Sequence, residues 1–402
     1  MKTTRQSSMT GLVETGKAFS PFIPHSAYSL SYISSKTFTL RHSQADMKMY
    51  NFNSGPAVLP EEVLQQAAEA VINFNNLGLS ILEIGHRTEW FIDVLEEAKA
   101  LVKELMQLDD SYEVLYLQGG ATTQFMQVPM NLLDANETAA YCDNGIWGSK
   151  AIKEAKLFGN VHVACSSKDQ NHTYIPRELS VPTHSTYLHY TTNNTVEGTQ
   201  WQFIPEANVP LVADMSSDIF SREFPYTRFS LIYAGAQKNA GAAGTTIVVI
   251  KKDMLGKVNR TIPSILDYRT HIEAKSLLNT PPVFAIYVSL LTLRWIKKEG
   301  GLSEMERRTQ QRAGLFYNTL DSLDAFTGKV DTRDRSLMNA TFTTQDPELE
   351  KMFLDICKQN GMVGVKGHRS VGGLRVSMYN ALPLSSVQVL CDVMKDFNEK
   401  HG

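Results

Sequence analysis

From about residue 60 onward, two apolar patterns alternate along the chain. The first is the short continuous run, seen at residues 114–117, 139–142, 161–164, 187–190, 211–213, 231–234 and 245–250. Runs of that length predict strands buried on both faces. The second is helical spacing: Val94, Leu95, Ala98, Leu101, Val102 and Leu105 share one face of a helix over 91–106. Pro60 followed by Glu61 and Glu62 opens an earlier helix, because proline suits a first turn and acids there meet the positive end of the helix dipole. Residues 122–132 and 149–156 read as helices between strands. The alternation predicts an α/β architecture with a largely parallel sheet covered on both faces.

Pro281 and Pro282 break this rhythm before an apolar helix over 284–297, which Gly300 and Gly301 end. Helices at 302–320, 347–359 and 385–399 follow, with strands at 339–344 and 374–377. That mixture predicts a smaller α+β domain. A chain of 402 residues exceeds what one core usually serves. We expect a large domain over 47–300 and a small one over 301–402, with the first ordered residues free to join the small one.

Residues 1–46 differ from the rest. They are rich in Ser and Thr, carry Lys2, Arg5, Lys17, Lys36 and Arg41, and hold only Glu14 and Asp46 as acids. This composition fits a transit peptide. It also fits an upstream extension with the natural start at Met47, the reading preferred here. In both cases disorder is expected. The stretch from Gly11 to Ala18 imitates a phosphate-binding P-loop, but Ala18 stands where a metal-binding hydroxyl belongs and no strand precedes it.

Composition narrows the functional classes. Thirty-nine Lys and Arg stand against 42 Asp and Glu, a net charge of −3, which gives no sign of nucleic-acid binding. Cys142, Cys165, Cys357 and Cys391 form no paired spacing, so no disulfide framework or metal site is expected. A reducing compartment follows, the cytoplasm, or an organelle if residues 1–46 are cleaved. No apolar run approaches the ~18 residues of a membrane span.

Ligands of open α/β sheets sit at the carboxyl ends of strands, so the residues after each strand matter most. The strand at 114–117 runs into Gln118-Gly119-Gly120-Ala121-Thr122-Thr123, a glycine turn feeding a helix start, which can be a phosphate cup or a purely structural turn. The strand at 211–213 ends in Asp214, able to bind a metal, act as a base, hold a cationic ring nitrogen or cap the next turn. The strand at 231–234 ends in Gly235-Ala236-Gln237-Lys238, a lysine among small residues, placed to attack a carbonyl. Trp147, after a further strand, is a platform for a ring or a core residue. A cup, an acid and a lysine in this order are what pyridoxal phosphate requires.

Several motifs carry a resemblance over residues 50–401. They are Asn51-Phe-Asn-Ser-Gly-Pro56, His86-Arg87, Gly119-Gly120-Ala121, Thr192-Asn-Asn-Thr195, Ala213-Asp-Met-Ser-Ser217, Tyr233-Ala-Gly-Ala-Gln-Lys238, Asn279-Thr-Pro-Pro282, Lys366-Gly-His-Arg369 and Gly372-Gly-Leu-Arg375. Together they resemble the class V aminotransferases among fold-type I pyridoxal-phosphate-dependent enzymes, in the branch that acts on phosphoserine. The resemblance implies a mostly parallel sheet of seven-stranded type in the large domain. It implies Lys238 as the Schiff-base lysine, Asp214 at the ring nitrogen, Trp147 on the ring and Thr195 at its hydroxyl. It further implies Ala121, Thr122 and Gln237 on the phosphate, with Asn279 and Thr280 supplied by the second subunit of a homodimer. Arg375 would hold the substrate α-carboxylate, and His86, Arg87, His368 and Arg369 the side-chain phosphate or second carboxylate.

The implied reaction exchanges O-phospho-L-serine and 2-oxoglutarate with 3-phosphooxypyruvate and L-glutamate, in serine biosynthesis. A phosphorylated hydroxythreonine on the way to pyridoxine is a second substrate in some relatives. Thr122 departs from relatives with Arg there, which removes a cation from the phosphate cup. A desulfurase would need a thiol on a mobile loop, whereas Cys357 and Cys391 fall in helical patterns. An alanine–glyoxylate enzyme would not need the His-Arg clusters, and a non-catalytic relative would have lost Lys238 or Asp214.

Overall fold

The computed structural model describes residues 48–402. The N-terminal segment and its P-loop look-alike lie outside the described residues. The described chain begins with β1 (Tyr50–Asn51), α1 (Glu61–Asn73) and α2 (Glu89–Met106). It then alternates through β2 (Tyr112–Leu117), α3 (Gly120–Leu132), β3 (Thr138–Asp143), α4 (Ile146–Ala155) and β4 (Asn160–Ser166). Next come β5 (Leu188–Thr191), β6 (Leu211–Asp214), β7 (Phe229–Gly235) and β8 (Thr246–Lys251).

Strands β2 to β8 form one seven-stranded sheet in the order β2-β8-β7-β6-β5-β3-β4. Neighbours from β7 to β4 pair in parallel. Strand β8 alone is reversed, pairing antiparallel with both β7 and β2. Its reversal matters for the site. An antiparallel return needs no crossover helix, so the β7–β8 connection stays at the carboxyl edge of the sheet and keeps Lys238 there.

Strands β2, β3 and β5 to β8 are buried on both faces, as their continuous apolar runs require. The run at 161–164 does not meet that expectation, because β4 is the edge strand and leaves Val163 42% exposed. Along β2, Val114 and Tyr116 enter one apolar cluster, while Leu115 and Leu117 enter the other. The first cluster packs under α2 and α6 (Val283–Lys298); the second packs under α3 and α4.

After the short α5 (Tyr268–Glu273) and α6, the chain runs through α7 (Gly301–Leu320), β9 (Phe326–Gly328), β10 (Asn339–Thr344) and α8 (Pro347–Gln359). It closes with β11 (Met362–Val363), β12 (Leu374–Ser377) and α9 (Leu384–His401). Strands β12-β10-β9 form an antiparallel sheet, and β1 pairs in parallel with β11. Here Phe52 joins Phe316, Phe326, Phe342, Phe353 and Phe397 in a third apolar cluster. Asp346 starts α8 by accepting the backbone N–H groups of Glu348 and Leu349, the capping role its short side chain suits. No helix among the described residues is long and apolar enough to cross a membrane.

Candidate active site

The carboxyl ends of β5, β6 and β7 open into a cavity of about 340 Å³. Asp214 is the last residue of β6 and is buried, with 4% of its surface exposed. One carboxylate oxygen accepts the Ser216 backbone N–H at 2.9 Å. Burial pushes the carboxyl pKa up, opposed by the Ser216 hydrogen bonds and by the positive charge of Lys238. Burial also holds the Lys238 amine down at about 8, with Asp214 opposing the shift and Arg375 adding to it. An amine so placed is a far better nucleophile at neutral pH than a solvated lysine.

The anion cup follows β2. Gly119 sits at φ +94°, where a Cβ would overlap the Thr123 hydroxyl. This left-handed residue turns the strand directly into α3. The first N–H groups of α3 have no side-chain cap, and Gly120, Ala121 and Thr122 line the cavity. Free N–H groups at a positive dipole end suit a phosphate.

The opposite wall comes from α4 and β12. Trp147 donates its Nε1–H to Thr195 Oγ1 at 3.1 Å. Arg375, buried on β12, donates from Nη1 to the Thr195 carbonyl at 2.8 Å, while its Nε has no partner among the described residues. A buried guanidinium with a free donor awaits an acceptor. His368 stands nearby, its imidazole held below the ordinary range first by burial and then by Arg375, Arg369 and Lys150.

The fold thus brings Ala121, Thr122, Trp147, Thr195, Asp214, Gln237, Lys238, His368 and Arg375 to one cavity. The remaining five candidates do not line it. His86 and Arg87 lie in the turn before α2, Arg87 exposed and His86 Nε2 buried without a hydrogen-bond partner among the described residues. Arg369 is exposed beside His368. Thr280 accepts a hydrogen bond from Gln118 Nε2 through its carbonyl at 2.7 Å, and Asn279 lines a separate cavity of about 300 Å³ next to Gln118 and Gly119.

Sequence reasoning did not single out Ser54, Gly55, Thr191, Asn193, Ser216 or Ser217, which also line the cavity. Most fall inside motifs quoted above, without a chemistry of their own to mark them. Gly55, at φ +133°, would bring a Cβ within 3.3 Å of Lys238 Cγ, so its small size lets the chain pass close to the lysine. Thr191 lies opposite Asp214 in the β5–β6 register, its hydroxyl without a partner among the described residues. A lysine amine, a buried acid, an uncapped helix terminus and open polar groups around one cavity fit a ring compound bearing an aldehyde, a basic nitrogen and a phosphate.

The chain matches the family described as aminotransferase class-V over residues 49–390. It is 53% identical to the phosphoserine aminotransferase of Flavobacterium johnsoniae over 355 residues, covering 88% of this chain and 100% of that one. Among solved structures it is similar to phosphoserine aminotransferase from Bacillus circulans subsp. alkalophilus, with 44% identity, a TM-score of 0.86, and 88% and 99% of the two chains covered. It is likewise similar to a PLP-bound phosphoserine aminotransferase from Trichomonas vaginalis, with 33% identity, a TM-score of 0.82, and 87% and 100% covered.

Proposed function

The chain belongs to the class-V aminotransferase family, and on that premise we propose that it exchanges an amino group between phosphoserine and glutamate through pyridoxal 5′-phosphate. The reaction converts O-phospho-L-serine and 2-oxoglutarate to 3-phosphooxypyruvate and L-glutamate. The observation that carries the reading is that Asp214, Lys238 and the uncapped start of α3 line one cavity.

Bound pyridoxal 5′-phosphate supplies a conjugated ring that withdraws electrons from the substrate α-carbon. Asp214 would hold the protonated ring nitrogen, and a cation there would compensate the burial that pushes its carboxyl pKa up. Lys238 Nζ would take the proton from the substrate α-carbon and hand it back as the general acid. The N–H groups of Ala121 and Thr122, with Gln237, hold the phosphate. Trp147 would cover the ring, and Thr195 would hold it at its hydroxyl side. Arg375 grips the α-carboxylate through its unpaired Nε edge. His368 and Arg369 receive the substrate's second anionic group, which explains why one pocket serves both phosphoserine and glutamate.

The reading includes a homodimer. Asn279 and Thr280 lie outside the cavity of their own chain, next to Gln118 and Gly119; in a homodimer they would serve the phosphate of the partner's site. His86 and Arg87, which also stand outside that cavity, would join the substrate site in the same assembly. We assign the cytoplasm as the compartment, supported by four free, buried cysteines that suit a reducing environment.

Two outcomes test the reading. Cofactor attachment to unloaded protein should speed up with rising pH and level off above about 8, where the Lys238 amine is free. A rise continuing toward 10.5, the ordinary lysine value, would show that burial does not reach the amine. Arg369→Ala should raise KM for phosphoserine by ~10–100-fold, the worth of one hydrogen bond to a charged group, with the cofactor Kd within about twofold of wild type. Equal loss of both would remove Arg369 from the substrate site.

A further inference from the structure

Glu197 is buried, with 8% of its surface exposed, and takes no part in the chemistry above. A buried carboxylate is destabilising unless polar partners compensate it. Its Oε1 accepts the backbone N–H of Ile146 at 2.8 Å. Ile146 is the first residue of α4, and its N-cap, Gly145, has no side chain to do this. The cap is therefore supplied by a residue 51 positions later in the chain. A carboxylate at a helix N-terminus satisfies a free donor and meets the positive dipole end. The residue after Ile146 is Trp147.

The rest of the segment ties this cap to the substrate side. Thr195 takes the Trp147 indole N–H on its hydroxyl and the Arg375 guanidinium on its carbonyl. The Glu197 carbonyl is fixed by Thr341 Oγ1 at 2.7 Å. Thr341 lies on β10 directly opposite Arg375 on β12. The connections close a circuit: Ile146 to Glu197, Glu197 to Thr341, Thr341 to Arg375 across the strand pair, Arg375 to Thr195, and Thr195 to Trp147. A Cβ on Gly145 would come within 3.0 Å of Glu197 Oε2, so the close approach of the two segments depends on that glycine. Arg375 and Glu197 also feel each other's charge: the carboxylate opposes the depression of the Arg375 pKa that burial causes.

We propose that Glu197 is a positioning residue of this site, whose carboxylate caps α4 and holds the ring of Trp147 in register with Arg375. The proposal rests on the cofactor reading above for the identity of what Trp147 covers. It does not rest on it for the holding of α4.

The test compares Glu197→Ala and Glu197→Gln with wild type in cofactor titration and in backbone amide exchange over residues 145–150 of the unloaded protein. Glu197→Ala should raise the pyridoxal phosphate Kd about tenfold, the usual worth of a helix cap, and speed exchange at Ile146. Glu197→Gln keeps the acceptor and should recover binding to within about threefold. A third variant separates positioning from general loosening. In a Trp147→Phe background, Glu197→Ala should add little further loss of cofactor affinity, because both act on one ring. Fully multiplied losses would overturn the proposal, as would a glutamine variant as impaired as the alanine one. Should Glu197→Ala not fold, Glu197→Asp, which keeps the charge but falls short of Ile146, takes its place with the same expected loss. If wild type itself binds no pyridoxal phosphate, the cofactor reading fails, and amide exchange alone decides whether Glu197 holds α4.

Discussion

Lys238→Ala leaves the protein folded and reduces amino transfer by at least ~10⁴-fold, the upper range for losing a general acid–base group and more where that group is also the covalent anchor. Lys238 has no hydrogen bond or ion pair to a side chain among the described residues, so its removal breaks no packing contact of that kind. Its burial instead works against folding. The amine pKa falls from 10.5 in the unfolded chain to about 8 in the folded protein. The folded state therefore binds fewer protons than the unfolded state between those values. The penalty is full below pH 8 and is relieved as pH rises from 8 to 10.5. Unloaded Lys238→Ala should melt no lower than unloaded wild type at pH 7, with the difference narrowing toward pH 10. Thermal melts across that range, beside a turnover assay, check both halves. Transamination near the wild-type rate would remove Lys238 from the chemistry.

Asp214→Asn should lower kcat by ~10²–10³-fold, the scale for losing one preorganised electrostatic partner of the reacting group. The substitution is nearly isosteric, and the amide oxygen can still accept the Ser216 N–H that Asp214 accepts now. What disappears is the negative charge that keeps a proton on the ring nitrogen. KM for phosphoserine should change little if, as proposed, Arg375, His368 and Arg369 hold the substrate. Steady-state kinetics with both amino donors separate the two quantities. A kcat within about threefold of wild type would show that ring protonation does not depend on this carboxylate.

Much of this arrangement was legible in the sequence because the signals are local. Each continuous apolar run from 114 to 250 became a strand of the large sheet, and their ends delivered Asp214 and Lys238 to one edge. The reversal of β8 was not legible. Its residues are apolar on both faces like those of the parallel strands of the sheet, and apolar content carries no direction. The short pairs were missed for another reason. Tyr50–Asn51 and Met362–Val363 are too brief to show a period, and they pair over more than 300 residues of sequence.

The site divides along the same line. Residues sitting at strand ends or among glycines announced themselves. Thr191 and Glu197 did not, because their meaning comes from partners far along the chain, Asp214 in the next strand and Ile146 at a helix start. The cationic set was legible as chemistry but not as geometry. His368 and Arg375 reach the cavity, whereas His86, Arg87, Arg369, Asn279 and Thr280 do not line it in a single chain. Thr122 in place of an arginine has a partial counterpart in the fold. The uncapped turn of α3 offers N–H donors and a dipole where a cation is missing.

The most direct test of the central claim is the absorbance of the purified protein loaded with pyridoxal phosphate, recorded before and after phosphoserine is added without a keto-acid acceptor. The account predicts a visible band that phosphoserine bleaches toward the near ultraviolet in one turnover, that 2-oxoglutarate restores, and that serine at the same concentration leaves in place. A protein with no such band, or one that serine bleaches as readily as phosphoserine, would contradict it.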